Sequence, residues 1–281
     1  MRIEKNIILN RTDKKPLLID TFYSESKTDQ PIVVFCHGYK GFKDWGAWNL
    51  MAEAIAEAGF CFIKFNFSHN GGTVENPIDF PDLEAFGQNN YTKELDDLNT
   101  IIDWAIKQFR NNKNINTKEI NLIGHSRGGG IAVLKASEDT RITRLITLAS
   151  VSDFGSRFGS DNEIKEWKEK GVKHILNGRT KQHMPHYYQF YKDFKANEAR
   201  LHIESAIKRL EIPMLIIHGD NDTSVSIKEA QTLHQWNPNS ELKIITGTDH
   251  VFNTKHPWVK EKLSSELEAV VHSTLDFFHD T

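Results

Sequence analysis

Cysteine is scarce in this chain: Cys36 and Cys61 are the only two in 281 residues. Two cysteines cannot build a disulfide framework, and neither has partners at metal-ligand spacing. Both lie in apolar runs and read as buried, reduced thiols that behave as small hydrophobes. Long hydrophobic runs are missing too. Stretches such as Ile32-Val33-Val34-Phe35-Cys36 are strand-length, far short of the ~20 residues a membrane helix needs. The opening Met1-Arg2-Ile3-Glu4-Lys5-Asn6 has no apolar segment followed by a small-residue cleavage site. No signal peptide is therefore expected, and the cytoplasm is the default compartment. An excess of positive charge is also lacking. The formal net charge is −3, so no basic field gathers nucleic acid or anionic lipid, and neither is expected as a partner. Repeats, low-complexity tracts and Pro/Gly/Ser-rich linkers are absent. What remains is an ordinary globular composition, 38% hydrophobic and 26% charged, in a chain long enough to cover a sheet on both faces.

Strand and helix patterns alternate. Residues 2–10 and 17–23 read as two antiparallel strands across a polar turn at 11–16. Residues 31–36 form an apolar run suited to a strand buried on both faces. In 47–58, Leu50, Met51, Ala54, Ile55 and Ala58 recur at helical spacing, and Gly59 follows as a terminating glycine. A strand at 60–67, a polar loop at 68–90, a helix at 91–110 and a strand at 119–123 come next. Then follow a helix at 128–137, strands at 143–149 and 213–218, a helix at 227–236, a strand at 241–246 and a closing helix at 259–279. This rhythm predicts an α/β fold: a mostly parallel eight-stranded sheet, helices on both faces, right-handed crossovers.

One stretch breaks the rhythm. Residues 150–210, after the sixth strand, hold Met184 and the aromatics Phe154, Phe158, Trp167, Tyr187, Tyr188, Phe190 and Phe194, besides others. They are too many for a plain connection, where 2–6 residues are usual. The expectation is one domain over 1–281 with 150–210 as a lid or cap insertion, part helix and part hairpin near 172–177.

Gly124-His125-Ser126-Arg127-Gly128 has the Gly-x-Ser-x-Gly spacing of a nucleophile elbow. With Gly and Ser each near ~7% of residues, a chain this long shows that pattern by chance about one time in ten. Context strengthens it. The apolar run Ile120-Asn121-Leu122-Ile123 leads in and a helix leads out, the strand–turn–helix setting the motif requires. A serine hydroxyl needs a base, and the base an orienting carboxylate. His250 follows the last strand and Asp222 the one before it. All three residues fall past strand C-termini, where open α/β sheets place active sites. Asp153, just after its own strand, competes as the acid. Asp249 is disfavoured because adjacent side chains in a turn diverge. Among 13 histidines, His37 and His125 flank glycines at strand ends and read as structural hydrogen-bonding groups. The oxyanion donors are expected to be the amide of Arg127 and that of Tyr39, in the loop after strand 31–36. The Arg127 side chain is expected to pair with a nearby acid.

At His37-Gly38-Tyr39, Gly124-His125-Ser126-Arg127-Gly128-Gly129, His218-Gly219 with Asp222-x-x-Val225, and Asp249-His250-x-Phe252, the chain resembles the α/β-hydrolase superfamily. It looks most like dienelactone-hydrolase-like and serine-aminopeptidase-like members that include cinnamoyl and feruloyl esterases. The resemblance implies a nucleophile at Ser126, an acid at Asp222, a base at His250 and oxyanion amides at Tyr39 and Arg127. No histidine pair sits at metal-ligand spacing beside a carboxylate set, so neither a metal nor a cofactor is expected. Where many relatives carry an Arg-Gly-His-Gly-x-Ser type loop, this chain reads Phe67-Ser68-His69-Asn70-Gly71-Gly72-Thr73.

The expected activity is a serine carboxylesterase acting on a small aromatic or medium acyl ester, as a monomer or homodimer. Pocket contributions are expected from Trp45, His69, Met184, Tyr187 and Tyr188. A peptidase or amidase, or an acyltransferase, could use the same triad. A ligand-binding protein without turnover is a further alternative.

Overall fold

The computed structural model describes residues 1–279. In chain order it contains β1 (Arg2–Arg11), β2 (Lys14–Tyr23), β3 (Gln30–Cys36), α1 (Trp48–Ala58), β4 (Cys61–Asn66), α2 (Leu83–Gly87), α3 (Tyr91–Phe109) and β5 (Ile115–His125). Next come α4 (Arg127–Glu138), β6 (Ile142–Leu148), a 3₁₀ turn (Gly155–Phe158), α5 (Asp161–Lys170), β7 (Val172–Leu176), β8 (His183–Tyr187), α6 (Gln189–Ala196) and α7 (Ile203–Ile207). The chain continues with β9 (Met214–Gly219), α8 (Ile227–Trp236), β10 (Glu241–Ile245) and α9 (Ser265–His279).

Eight strands form one sheet in the order β1-β2-β4-β3-β5-β6-β9-β10. β1 and β2 run antiparallel to their neighbours, and the other pairings are parallel. The α/β architecture and the mostly parallel eight-stranded sheet expected from the alternation are both present. The central strands are buried along their length, as a sheet covered on both faces requires. One apolar layer joins the sheet to α3, α4 and α7, and the opposite layer joins it to α1 and α9.

Some boundaries differ from the sequence reading. The loop 68–90 contains α2, capped where the Asp82 carboxylate accepts from the amide of Ala85 at 2.9 Å. The closing helix begins at Ser265, six residues later than the pattern suggested. Ser264 Oγ accepts from the amide of Leu267 at 3.1 Å and so starts the helix there. Between β6 and β9, β7 and β8 form a separate two-stranded antiparallel hairpin, flanked by α5 and α6. The hairpin over 172–187 is longer than the turn segment suspected near 172–177.

A group of buried charges lies under the loop after β3. The ammonium groups of Lys43 and Lys64 both reach Asp20, at 2.8 and 2.6 Å, and Asp44, at 2.5 and 2.6 Å. Asp20, Lys43 and Lys64 are essentially sealed from solvent. Burial lowers the Lys64 pKa while both aspartates oppose that shift. The sequence signs of this cluster are a lysine inside the apolar run of β4 and an aspartate inside that of β2.

Candidate active site

β5 ends in the turn that carries Ser126. Ser126 adopts φ 57°, ψ −122°, a conformation side-chain-bearing residues rarely adopt and one that nucleophile elbows impose. The turn closes because Gly124 and Gly128, two residues to either side, lack side chains. A Cβ on Gly124 would lie 2.3 Å from the carbonyl oxygen of Gly128. The Ser126 amide donates to Leu148 O at 2.9 Å, which ties the elbow to β6. The loop after β3 passes directly against the serine: a Cβ on Gly38 would lie 2.8 Å from Ser126 Cβ. His37 fixes that loop by donating from Nδ1 to Gly38 O at 2.9 Å and accepting at Nε2 from the Phe67 amide at 3.3 Å. Burial holds the His37 pKa down at about 4, so the ring is neutral and can fill both roles.

Asp222 and His250 arrive from the loops after β9 and β10. His250 Nδ1 donates to Asp222 Oδ2 at 2.7 Å, which leaves Nε2 to accept from Ser126 Oγ at 3.0 Å. The other Asp222 oxygen accepts from the amides of Ser224 and Val225, each at 2.8 Å. Burial alone would raise the Asp222 pKa. Hydrogen bonds from His218 and His250 outweigh it and hold the carboxyl well below the usual carboxylate range. Asp153 is occupied elsewhere, accepting from the amides of Gly155 and Ser156 at 3.1 and 2.6 Å. His125 lies behind His250, and its Nε2 donates to His250 O at 2.9 Å. Burial first, and His250 second, push its pKa down to about 3.

Two recesses meet at Ser126 and His250. The larger, about 380 Å³, is walled by Tyr91, Phe154, Phe158, Trp167, His186 and Phe190. The smaller, about 220 Å³, is bordered by Trp45 and Trp48. The Arg127 side chain projects into the larger one. Its guanidinium stacks over the rings of Tyr39, Tyr91 and Phe190, 4.4, 5.2 and 5.3 Å from their centroids. It also pairs with buried Glu94 at 3.4 Å, the acidic partner expected for it. Tyr39 Oη meets Nε2 of His186 at 2.7 Å, joining the loop after β3 to the β7–β8 hairpin.

A sequence profile of the dienelactone hydrolase family matches residues 19–281. The chain belongs to the dienelactone hydrolase family. It is an α/β-hydrolase of the esterase-like kind. Among characterised relatives, it is 21% identical to monoacylglycerol lipase ABHD6 of Bos taurus, over 87% of this chain and 77% of that one. It is 24% identical to the non-heme chloroperoxidase CPO-A1 of Kitasatospora aureofaciens, over 89% and 94%. The fold is shared with Est1E of Butyrivibrio proteoclasticus, at TM-score 0.70 and 16% identity over 99% and 98% of the two chains.

Four of the residues expected in this family member's pocket lie elsewhere. His69 bonds to Ser68 Oγ at 2.7 Å and borders a separate recess with Arg11 and Asp96. Met184 is fully buried among Phe42, Phe80 and Phe86. Tyr187 points away from the cavity and bonds to Glu84, because successive strand residues face opposite sides and His186 takes the inner one. Tyr188 packs edge-on against Trp167. Trp45 does border the smaller recess. Sequence reading missed Tyr91, which comes from α3 outside the insertion. It also missed His218, four residues before Asp222 and 3.2 Å from its carboxylate. The His218-Gly219 step just ahead of Asp222 was the available signal.

Proposed function

We propose that the protein is a serine carboxylesterase that works through an acyl-enzyme on Ser126. The observation that carries this reading is the bridge by His250 between Asp222 at 2.7 Å and Ser126 at 3.0 Å. Nε2 of His250 takes the Ser126 proton as Oγ attacks the ester carbonyl carbon, and Asp222 holds the imidazolium that forms. The oxyanion of the tetrahedral intermediate is received by the amides of Arg127, at the start of α4, and Tyr39. The contact of Gly38 with Ser126 supports the second donor. His250 returns its proton to the leaving alcohol. It then activates a water that attacks the acyl carbon, freeing the acid and Ser126.

The aromatic walls of the larger recess favour a small aromatic or medium acyl ester. Est1E, solved with ferulic acid bound, and a monoacylglycerol lipase among the relatives support the same class. The insertion between β6 and β9 serves as the lid. In the test, Ser126→Ala lowers kcat on p-nitrophenyl acetate by at least about 10⁴-fold. A fluorophosphonate labels the wild type and not the variant. Undiminished turnover by Ser126→Ala would remove Ser126 from the reaction.

A further inference from the structure

Charge around Ser126 runs opposite to charge in the chain as a whole. The sequence has 38 acidic and 35 basic residues. Yet Lys40, Arg127, Arg157 and Lys173 line the larger recess, and Lys40 and Arg179 the smaller, while among the described residues no Asp or Glu lines either. Two of the cations of the larger recess are balanced from behind: Arg127 by Glu94 and Arg157 by Glu229. Among the described residues, no ion pair is formed by Lys40 or by Lys173, whose ammonium feels the Glu163 carboxylate only from beyond ion-pair distance. Lys173 is held in place by aromatic and backbone contacts instead. Its Nζ lies 4.0 Å from the Trp167 ring centroid and donates to Phe158 O at 3.2 Å. The Lys40 ammonium lies 5.1 Å from the Tyr39 ring centroid.

The field is felt by a neutral neighbour. His186, on the cavity wall, has its pKa pushed down to about 3, by burial first and then by Arg127, Lys173 and Lys40. A cleft of one sign with low-dielectric aromatic walls concentrates the potential and gathers the opposite charge. The same field repels a substrate bearing a free ammonium, which counts against an aminopeptidase.

We infer that the ester bound beside Ser126 carries a negative charge, a carboxylate on an aromatic or short apolar frame, held by Lys40 and Lys173 with Arg127 beneath it. This rests on the esterase reading but can be tested without turnover. The apolar walls take the frame, and the two unpaired ammonium groups supply the counter-charge that neutral esters leave unused.

The decisive measurement is calorimetric binding to Ser126→Ala, which keeps the cleft and cannot turn over ester. Two pairs are compared, each a carboxylate and its neutral carboxamide isostere. One pair is monoethyl terephthalate and ethyl 4-carbamoylbenzoate, with the charge on the acyl half. The other is 4-carboxyphenyl acetate and 4-carbamoylphenyl acetate, with the charge on the alcohol half. In at least one pair the carboxylate is expected to bind at least about tenfold tighter. The preference should shrink when ionic strength rises from about 0.05 M to about 0.5 M, and fall at least about threefold when Lys40→Met and Lys173→Met are added. Equal binding in both pairs, or a preference that survives loss of both lysines, overturns the inference. If the anion preference holds while wild-type protein hydrolyses none of the four esters, the esterase reading falls and the anion site stands.

Discussion

His218 approaches Asp222 through Nε2, at 3.2 Å from Oδ2, the oxygen that also receives the proton of His250. The same Nε2 is 2.8 Å from Val225 O. Its proton is therefore shared between a carbonyl and the carboxylate, while Nδ1 is buried without a partner. His218 is fully buried at the end of β9. In the proposed mechanism it is a positioning residue that acts through Asp222.

Replacing it should separate positioning from binding. His218→Phe removes one donor from Asp222. A hydrogen bond to a charged group contributes about 1.5–3 kcal/mol, so kcat is expected to fall roughly ten- to a hundredfold. KM should move less than about twofold, because His218 lies outside both recesses. The Asp222 carboxyl should also titrate higher than in the wild type as it loses one of the bonds that hold its pKa down. Steady-state kinetics across pH, with circular dichroism to verify the fold, decides the matter. A change confined to KM would show that His218 shapes the pocket instead.

Asp222 ties activity and stability to pH with a defined sign. Its folded-state pKa lies below the unfolded value of about 3.9. Its contribution to stability is therefore fully present above pH ~4 and is lost as pH falls through the depressed folded value. Asp222→Asn should melt below the wild type at pH 7, with the gap closing toward pH 2. At neutral pH its kcat should drop by about 10⁴-fold, since the amide cannot hold the His250 tautomer. Thermal melts of both proteins at stepped pH test the first statement. A gap that widened on acidification would contradict it.

The buried pairs of Asp20 and Asp44 with Lys43 and Lys64 make a prediction about stability. Lys64→Met leaves Asp20 with one cation in a site sealed from water. Breaking a buried pair from one side costs about 3–5 kcal/mol. The double variant Asp20→Asn with Lys64→Met should lose less than the sum of the two single changes, because it leaves fewer buried charges uncompensated. Urea unfolding of the three variants measures this coupling. Additive losses would mean that the groups do not interact.

Much of the fold could be read from the residue order alone. Hydrophobic period marked the eight strands and most helices, because a covered parallel sheet needs continuous apolar runs and its helices need one apolar stripe. The order Ser126, Asp222, His250 and the place of each after a strand were also legible, since strand C-termini in such a sheet converge on one edge. The pocket was not. Its wall joins Tyr91 of α3 to Phe154, Trp167 and His186 of the insertion, and no local pattern encodes contacts between segments so far apart. His69, Met184, Tyr187 and Tyr188 were reasonable by type, but strand alternation and long-range packing turned them elsewhere. Burial and distance, which exist only in three dimensions, brought His218 to Asp222 and gathered cations around Ser126 in a chain of net negative charge.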